Sequence, residues 1–98
     1  MPAYVISEIE ITDTNAFKEY TTLSPPSVEK YGGRFLARGG SLEVLEGDWS
    51  PKRLAILEFP DVRSAKAWVD SAEYSPARQV RQRSAIARIV AVEGVPDH

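Results

Sequence analysis

The 98-residue chain predicts an α+β domain in which helical segments cover one face of an antiparallel sheet. Three observations carry this reading. Four stretches are rich in β-branched residues or alternate with the two-residue period of strands. Between them lie stretches whose apolar residues recur at three- and four-residue steps, the stripe of an amphipathic helix. Glycine pairs and prolines separate the two kinds of segment, as expected of turns and helix ends.

Residues 4–11 read as the first strand, with Val5, Ser7, Ile9 and Ile11 on one face and Tyr4, Ile6, Glu8 and Glu10 on the other. Thr12, Asp13 and Thr14 supply capping side chains, and Phe17, Tyr20, Thr21, Ser24, Val28 and Tyr31 form the stripe of the first helix. Pro25 and Pro26 lack the amide hydrogens of a helix interior, so a kink is expected there, or a restart with Ser24 as N-cap. Gly32 and Gly33 end this helix, because glycine accepts positive φ just past a helix terminus. In the strand that follows, alternation puts Phe35 and Ala37 on one side and Arg34, Leu36 and Arg38 on the other, before Gly39 and Gly40 break it.

Residues 41–46 read as a short extended piece and 47–51 as a loop. The next strand covers 53–59, with Leu54, Ile56 and Glu58 opposite Ala55, Leu57 and Phe59, and Pro60 ends it. Behind an Asp61 cap, the second helix covers about 62–71 with Val62, Ala65, Trp68, Val69 and Ala72 as its apolar face. Ser75 and Pro76 start a further short helix over 77–83. The last strand covers 86–93, and 94–98 is a tail of a domain that spans the whole chain, 1–98. The order β-α-β-β-α-β is a twofold structural repeat, the pattern of a ferredoxin-like sandwich.

Tyr4, Ile6, Leu36, Leu54, Ile56, Ile86 and Val90, with their opposite-face neighbours, leave apolar residues on both sides of the sheet. A sheet covered by helices on one side alone has a polar second face. The expectation is therefore a homodimer in which two sheets close face to face.

Composition narrows the chemistry. Apolar residues at 43%, charged residues at 27% and a net charge of −2 are ordinary globular values and point to neither nucleic acid nor a membrane surface as partner. Without cysteine, disulfides, thiolate metal sites and cysteine nucleophiles are excluded. The single histidine is the terminal His98, which leaves histidine-based acid–base, haem-ligand or metal chemistry almost without support, so no cofactor and no metal are expected. The first residues enter a strand pattern without a basic segment, long apolar run and cleavage site, and the expected location is cytoplasmic. No phosphate-binding glycine motif occurs.

The element order, together with the YGGRFLARGG stretch over 31–40, LEFP over 57–60, Ala67-Trp68, SAEY over 71–74 and the closing VEG over 92–94, resembles the DUF1330 family of the dimeric α/β-barrel superfamily. That resemblance implies a ferredoxin-like subunit, a homodimer and a small cavity between sheet and helices. The wider superfamily includes cofactor-free monooxygenases, lactone isomerases, haem-degrading enzymes and ligand-sensing domains, so membership speaks to fold more than to chemistry.

Arg38, Glu58 and Arg88 are charges on strands among apolar neighbours, where an unpaired charge is costly. Arg38 or Arg88 beside Glu58 is the expected pairing. One reading makes it a structural ion pair that fixes register or a dimer interface. The other makes the guanidinium a carboxylate clamp and Glu58 a general base. Tyr20, Trp68 and Tyr74 are aromatic candidates for lining a pocket, with Trp68 also placed on the core stripe and Tyr74 at a break between helices within the SAEY motif. Arg78, Arg81 and Arg83 read as a solvated basic face, and Arg78, one turn beyond Tyr74, is close enough to share a pocket mouth and attract an anion. The leading expectation is a protein that binds a small organic acid or aromatic molecule among Arg38, Glu58, Trp68, Tyr74, Arg78 and Tyr20. The alternatives are a cofactor-independent enzyme of the monooxygenase or isomerase kind, and a structural or interaction subunit without ligand.

Overall fold

The computed structural model describes residues 1–96, so the end of the expected tail and His98 lie outside the described residues. Its elements run β1 (Ala3–Ile11), α1 (Thr14–Lys30), β2 (Arg34–Arg38), β3 (Leu54–Phe59), α2 (Val62–Val69), α3 (Ser75–Ser84) and β4 (Ala85–Glu93). The strands form one antiparallel sheet in the order β2-β3-β1-β4. This is the ferredoxin-like α+β arrangement read from the sequence. Among the described residues no helix is long and apolar enough to cross a membrane.

One face of the sheet meets the helices. Val5, Ala55, Leu57 and Phe59 from the strands bury against Val28, Ala65, Trp68, Tyr74 and Ala77. Ile9, Phe17 and Ala85 make a second cluster at the other end of β1. The Trp68 ring lies 5.3 Å from Phe59 and 4.3 Å from Tyr74, and its indole N–H donates to Ser27 Oγ at 3.1 Å, so its one polar atom is satisfied in the core.

Helix α1 ends as the glycine pair implies. Gly32, at φ +78°, donates its N–H to Glu29 O and Gly33 donates to Val28 O, the paired bonds of a Schellman motif. Gly33 is needed for a different reason, since a Cβ there would fall 2.6 Å from the buried Phe59 ring.

Three expectations are corrected. First, α1 neither restarts nor takes Ser24 as N-cap: it runs unbroken through Pro25 and Pro26, with Asp13 as its cap. Proline at 25 removes the N–H that would bond the Thr21 carbonyl. That carbonyl instead accepts from Arg38 Nη2 at 2.7 Å, which lets the helix continue. Second, β2 is not a strictly alternating strand. Phe35 pairs with Leu57 but Ala37 pairs with Ile56, leaving Leu36 as a bulged extra residue. The bulge turns Arg38 onto the helix-covered face opposite Ala55. Third, the basic run on α3 is not one solvated face, because Arg81 is only 9% exposed and donates to Tyr74 Oη. Residues 41–46, read as an extended piece, are exposed throughout and pair with no strand of the described sheet.

The far face of the sheet carries Tyr4, Ile6, Leu54, Ile56, Ile86, Val90 and Val92 by strand register. Ile86, Val90 and Val92 are 61%, 59% and 50% exposed. The loop joining β2 to β3 touches this face where Trp49 Nε1 donates to Glu8 Oε2 at 2.9 Å.

Candidate functional site

The site is a cavity between the helix-side face of the sheet and α1. Its floor is Val5, Ser7, Ile9, Ala55, Leu57 and Ile89 from the three longer strands. Phe17, Tyr20, Thr21 and Ser24 of α1 and Trp68 of α2 form the opposite wall, while Phe35, Arg38 and Arg53 close one side. The open volume is about 20 Å³, room for about one water.

The two arginines define its electrostatics. Arg38 stacks 4.6 Å over the Phe35 ring and holds the Thr21 carbonyl. Arg53, at the start of β3, sits 5.7 Å from the Phe17 ring centroid, and its guanidinium occupies the space that a side chain at Gly39 would need. The buried Arg53 Nε has no hydrogen-bond partner among the described residues, and neither has the buried Ser24 Oγ. No carboxylate among the described residues pairs with Arg38 or Arg53, whereas Arg34, Arg78, Arg83 and Arg88 each lie within 4 Å of one. An apolar, aromatic-walled cavity with two uncompensated guanidiniums and an unpaired buried hydroxyl is suited to an anion with an organic body.

The structure brings together Arg38, Tyr20 and Trp68 from the residues singled out in the sequence. It does not bring Glu58, Tyr74 or Arg78 to the cavity. Glu58 faces the open side of the sheet, where its Oε1 accepts from Arg34 Nε at 2.8 Å beside a separate surface depression lined by Met1, Pro2 and Pro60. The expected pairing of Glu58 with Arg38 or Arg88 is thus corrected: the partner is Arg34, and Arg88 lies 3.6 Å from Glu8. Tyr74 is fully buried behind Tyr20, with its hydroxyl 2.7 Å from Tyr20 Oη. Burial, reinforced by Tyr20, pushes the Tyr74 phenol well above its usual 10. Arg78 reaches the Val69 carbonyl at 3.4 Å and Asp70 at 3.5 Å, so it caps the end of α2.

Arg53 and Ser24 were the site residues that sequence reasoning missed. Arg53 reads as the first residue of a strand, and nothing in its neighbours signals that its guanidinium lies under Gly39. Ser24 precedes two prolines and so reads as a cap. Among the described residues no three His, Cys, Asp or Glu side chains converge as a metal site.

The model of a domain of unknown function, DUF1330, matches residues 2–95. The chain belongs to the DUF1330 family. No curated protein matches its sequence. Among solved structures it is similar to a protein of unknown function from Rhodopseudomonas palustris, with a TM-score of 0.76 and 20% identity over 98% of this chain and 84% of that one. It is similar also to a dimeric ferredoxin-like protein of unknown function from Jannaschia sp. CCS1, at TM-score 0.71 and 14% identity over 96% of this chain and all of the other. SnoaB, a cofactor-independent oxygenase from Streptomyces nogalater, shares the fold at TM-score 0.64 and 6% identity, over 98% of this chain and 95% of that one. At such identities these likenesses speak for the DUF1330 protein's fold alone.

Proposed function

We propose that this DUF1330 protein binds a small organic acid in the cavity, with Arg38 and Arg53 holding the carboxylate and Phe17, Phe35, Leu57 and Trp68 packing against the body. The observation that carries this reading is the pair of guanidiniums at one side of an apolar cavity without a carboxylate partner among the described residues. Because the open volume admits only about one water, a ligand enters by displacing Arg38 from the Thr21 carbonyl. The ligand's carboxylate then replaces that carbonyl as acceptor, exchanging a neutral hydrogen bond for a charged one. The homodimer belongs to the same proposal, supported by the apolar far face of the sheet and by the dimeric state of the Jannaschia protein.

Binding is favoured over catalysis because, among the described residues, the cavity lining holds no carboxylate and no histidine to serve as base. Glu58, the base expected in an enzyme reading, is engaged by Arg34 on the other face. The test is a thermal-shift screen of wild type, Arg38→Ala and Arg53→Ala against carboxylates from formate to phenyl-substituted acids. A ligand at a hundred times its dissociation constant adds about 2.7 kcal/mol, a rise on the order of ten degrees for a domain of this size. The expected result is such a rise in the wild type and its loss in both variants. No rise with any acid in the wild type would leave a purely structural subunit as the better reading.

A further inference from the structure

A directed chain of hydrogen bonds leads from the interior to this cavity. Arg81 carries only donors, so where its Nε lies 3.3 Å from Tyr74 Oη the phenol oxygen accepts. Tyr74 has no exposed surface, and Tyr20 Oη at 2.7 Å is its hydroxyl's only other partner among the described residues. Distance alone does not say which phenol donates in that bond. If Tyr20 donated, the Tyr74 proton would be buried without an acceptor, and an unsatisfied buried donor costs more than a hydrogen bond returns. The proton therefore runs from Tyr74 to Tyr20, and Tyr20 keeps its own.

Tyr20 lines the cavity, and among the described residues its hydroxyl has no hydrogen-bond partner besides Tyr74. One turn further along α1, the buried Ser24 hydroxyl faces the same need. On the reading of the cavity as an acid-binding site, we infer that Tyr20 is a specificity-determining donor and that the ligand carries a second, hydrogen-bond-accepting oxygen besides its carboxylate: an oxo acid rather than a plain one. Tyr74 and Arg81 are positioning residues that set the direction of the Tyr20 hydroxyl.

Matched acids test this by calorimetric titration: pyruvate against propionate, and phenylpyruvate against 3-phenylpropionate, with wild type, Tyr20→Phe and Tyr74→Phe checked for native circular dichroism. The wild type is expected to bind each oxo acid about tenfold more tightly than its partner, roughly the worth of one hydrogen bond. In Tyr20→Phe that ratio falls to about one while the plain acids keep their affinity. In Tyr74→Phe the ratio falls as well, because Tyr20 loses the group that orients it. A rise in that variant would overturn the inference, since it would mean that Tyr20 had been donating to Tyr74. Equal binding of oxo and plain acids by the wild type would overturn the role of Tyr20 and leave the acid site standing. Failure of all four acids to bind would overturn both.

Discussion

Single residues divide the arginines of this protein into those with a carboxylate partner and those without one among the described residues. Arg34 and Glu58 satisfy each other at the sheet surface, with the arginine side chain 71% exposed. An exposed pair of this kind is worth about 0–1 kcal/mol. Glu58→Gln is accordingly expected to lower stability by less than about 1 kcal/mol in urea melts and to leave acid binding unchanged; loss of binding would return Glu58 to the site. Gly33→Ala, by contrast, drives a methyl into the Phe59 ring and is expected to cost about 1–3 kcal/mol in the same melts. Glu73 illustrates a pH effect at the surface. The Tyr31 hydroxyl donates to it at 2.8 Å and Lys30 lies 3.0 Å away, and these hold its carboxyl at about 2 instead of 4.5. A carboxyl lowered on folding stabilises the protein above its unfolded pKa and loses that contribution as pH falls from about 4.5 through 2. Tyr31→Phe removes the largest cause, so its stability is expected to fall less steeply over that window, and salt is expected to shrink the difference because the pair is exposed. Of these residues, the sequence pointed to Arg38 and Glu58 as charges in need of partners. It did not reveal the partners, because pairing across a sheet depends on register.

Among the elements, α1 and β2 are solved together. The carbonyl orphaned by Pro25 finds Arg38, and Arg38 is on that side because Leu36 is bulged out of β2. Pro25→Ala restores the amide that Thr21 O lacks. It is expected to stabilise the protein by about 2 kcal/mol, the helical gain less the entropy returned to the unfolded chain, measured by thermal and urea unfolding. It also frees Arg38 from its carbonyl. Helix ends were legible from Asp13, Asp61 and the Gly32-Gly33 pair, since caps and positive φ are local requirements. The continuity of α1 was not, because the Arg38 guanidinium that satisfies the Thr21 carbonyl is 17 residues away from it in sequence.

At the scale of the whole molecule, the sheet has one face buried by helices and one that leaves Ile86, Val90 and Val92 half exposed or more. If two copies close over this face, Ile86→Lys with Val90→Lys places unpaired charges in the interface and is expected to convert a dimer into a folded monomer in sedimentation velocity. A monomeric wild type at micromolar concentration would refute the dimer. The cavity proposed to bind an acid lies on the opposite side of the sheet, so the monomeric variant is expected to retain that binding.

The sequence by itself determined the elements, their order and the apolar character of both sheet faces, because periodicity, capping residues and glycine placement act over a few neighbouring positions. The family resemblance read from the 31–40 stretch and its companions holds over residues 2–95. Only the tertiary structure decided which charges meet. One bulged residue in β2 reverses the face on which every later side chain of that strand stands, and so it parted Arg38 from Glu58 and set it beside Arg53 over the cavity. Alternation along the chain carries no record of such an insertion, which is settled by how β2 pairs with β3.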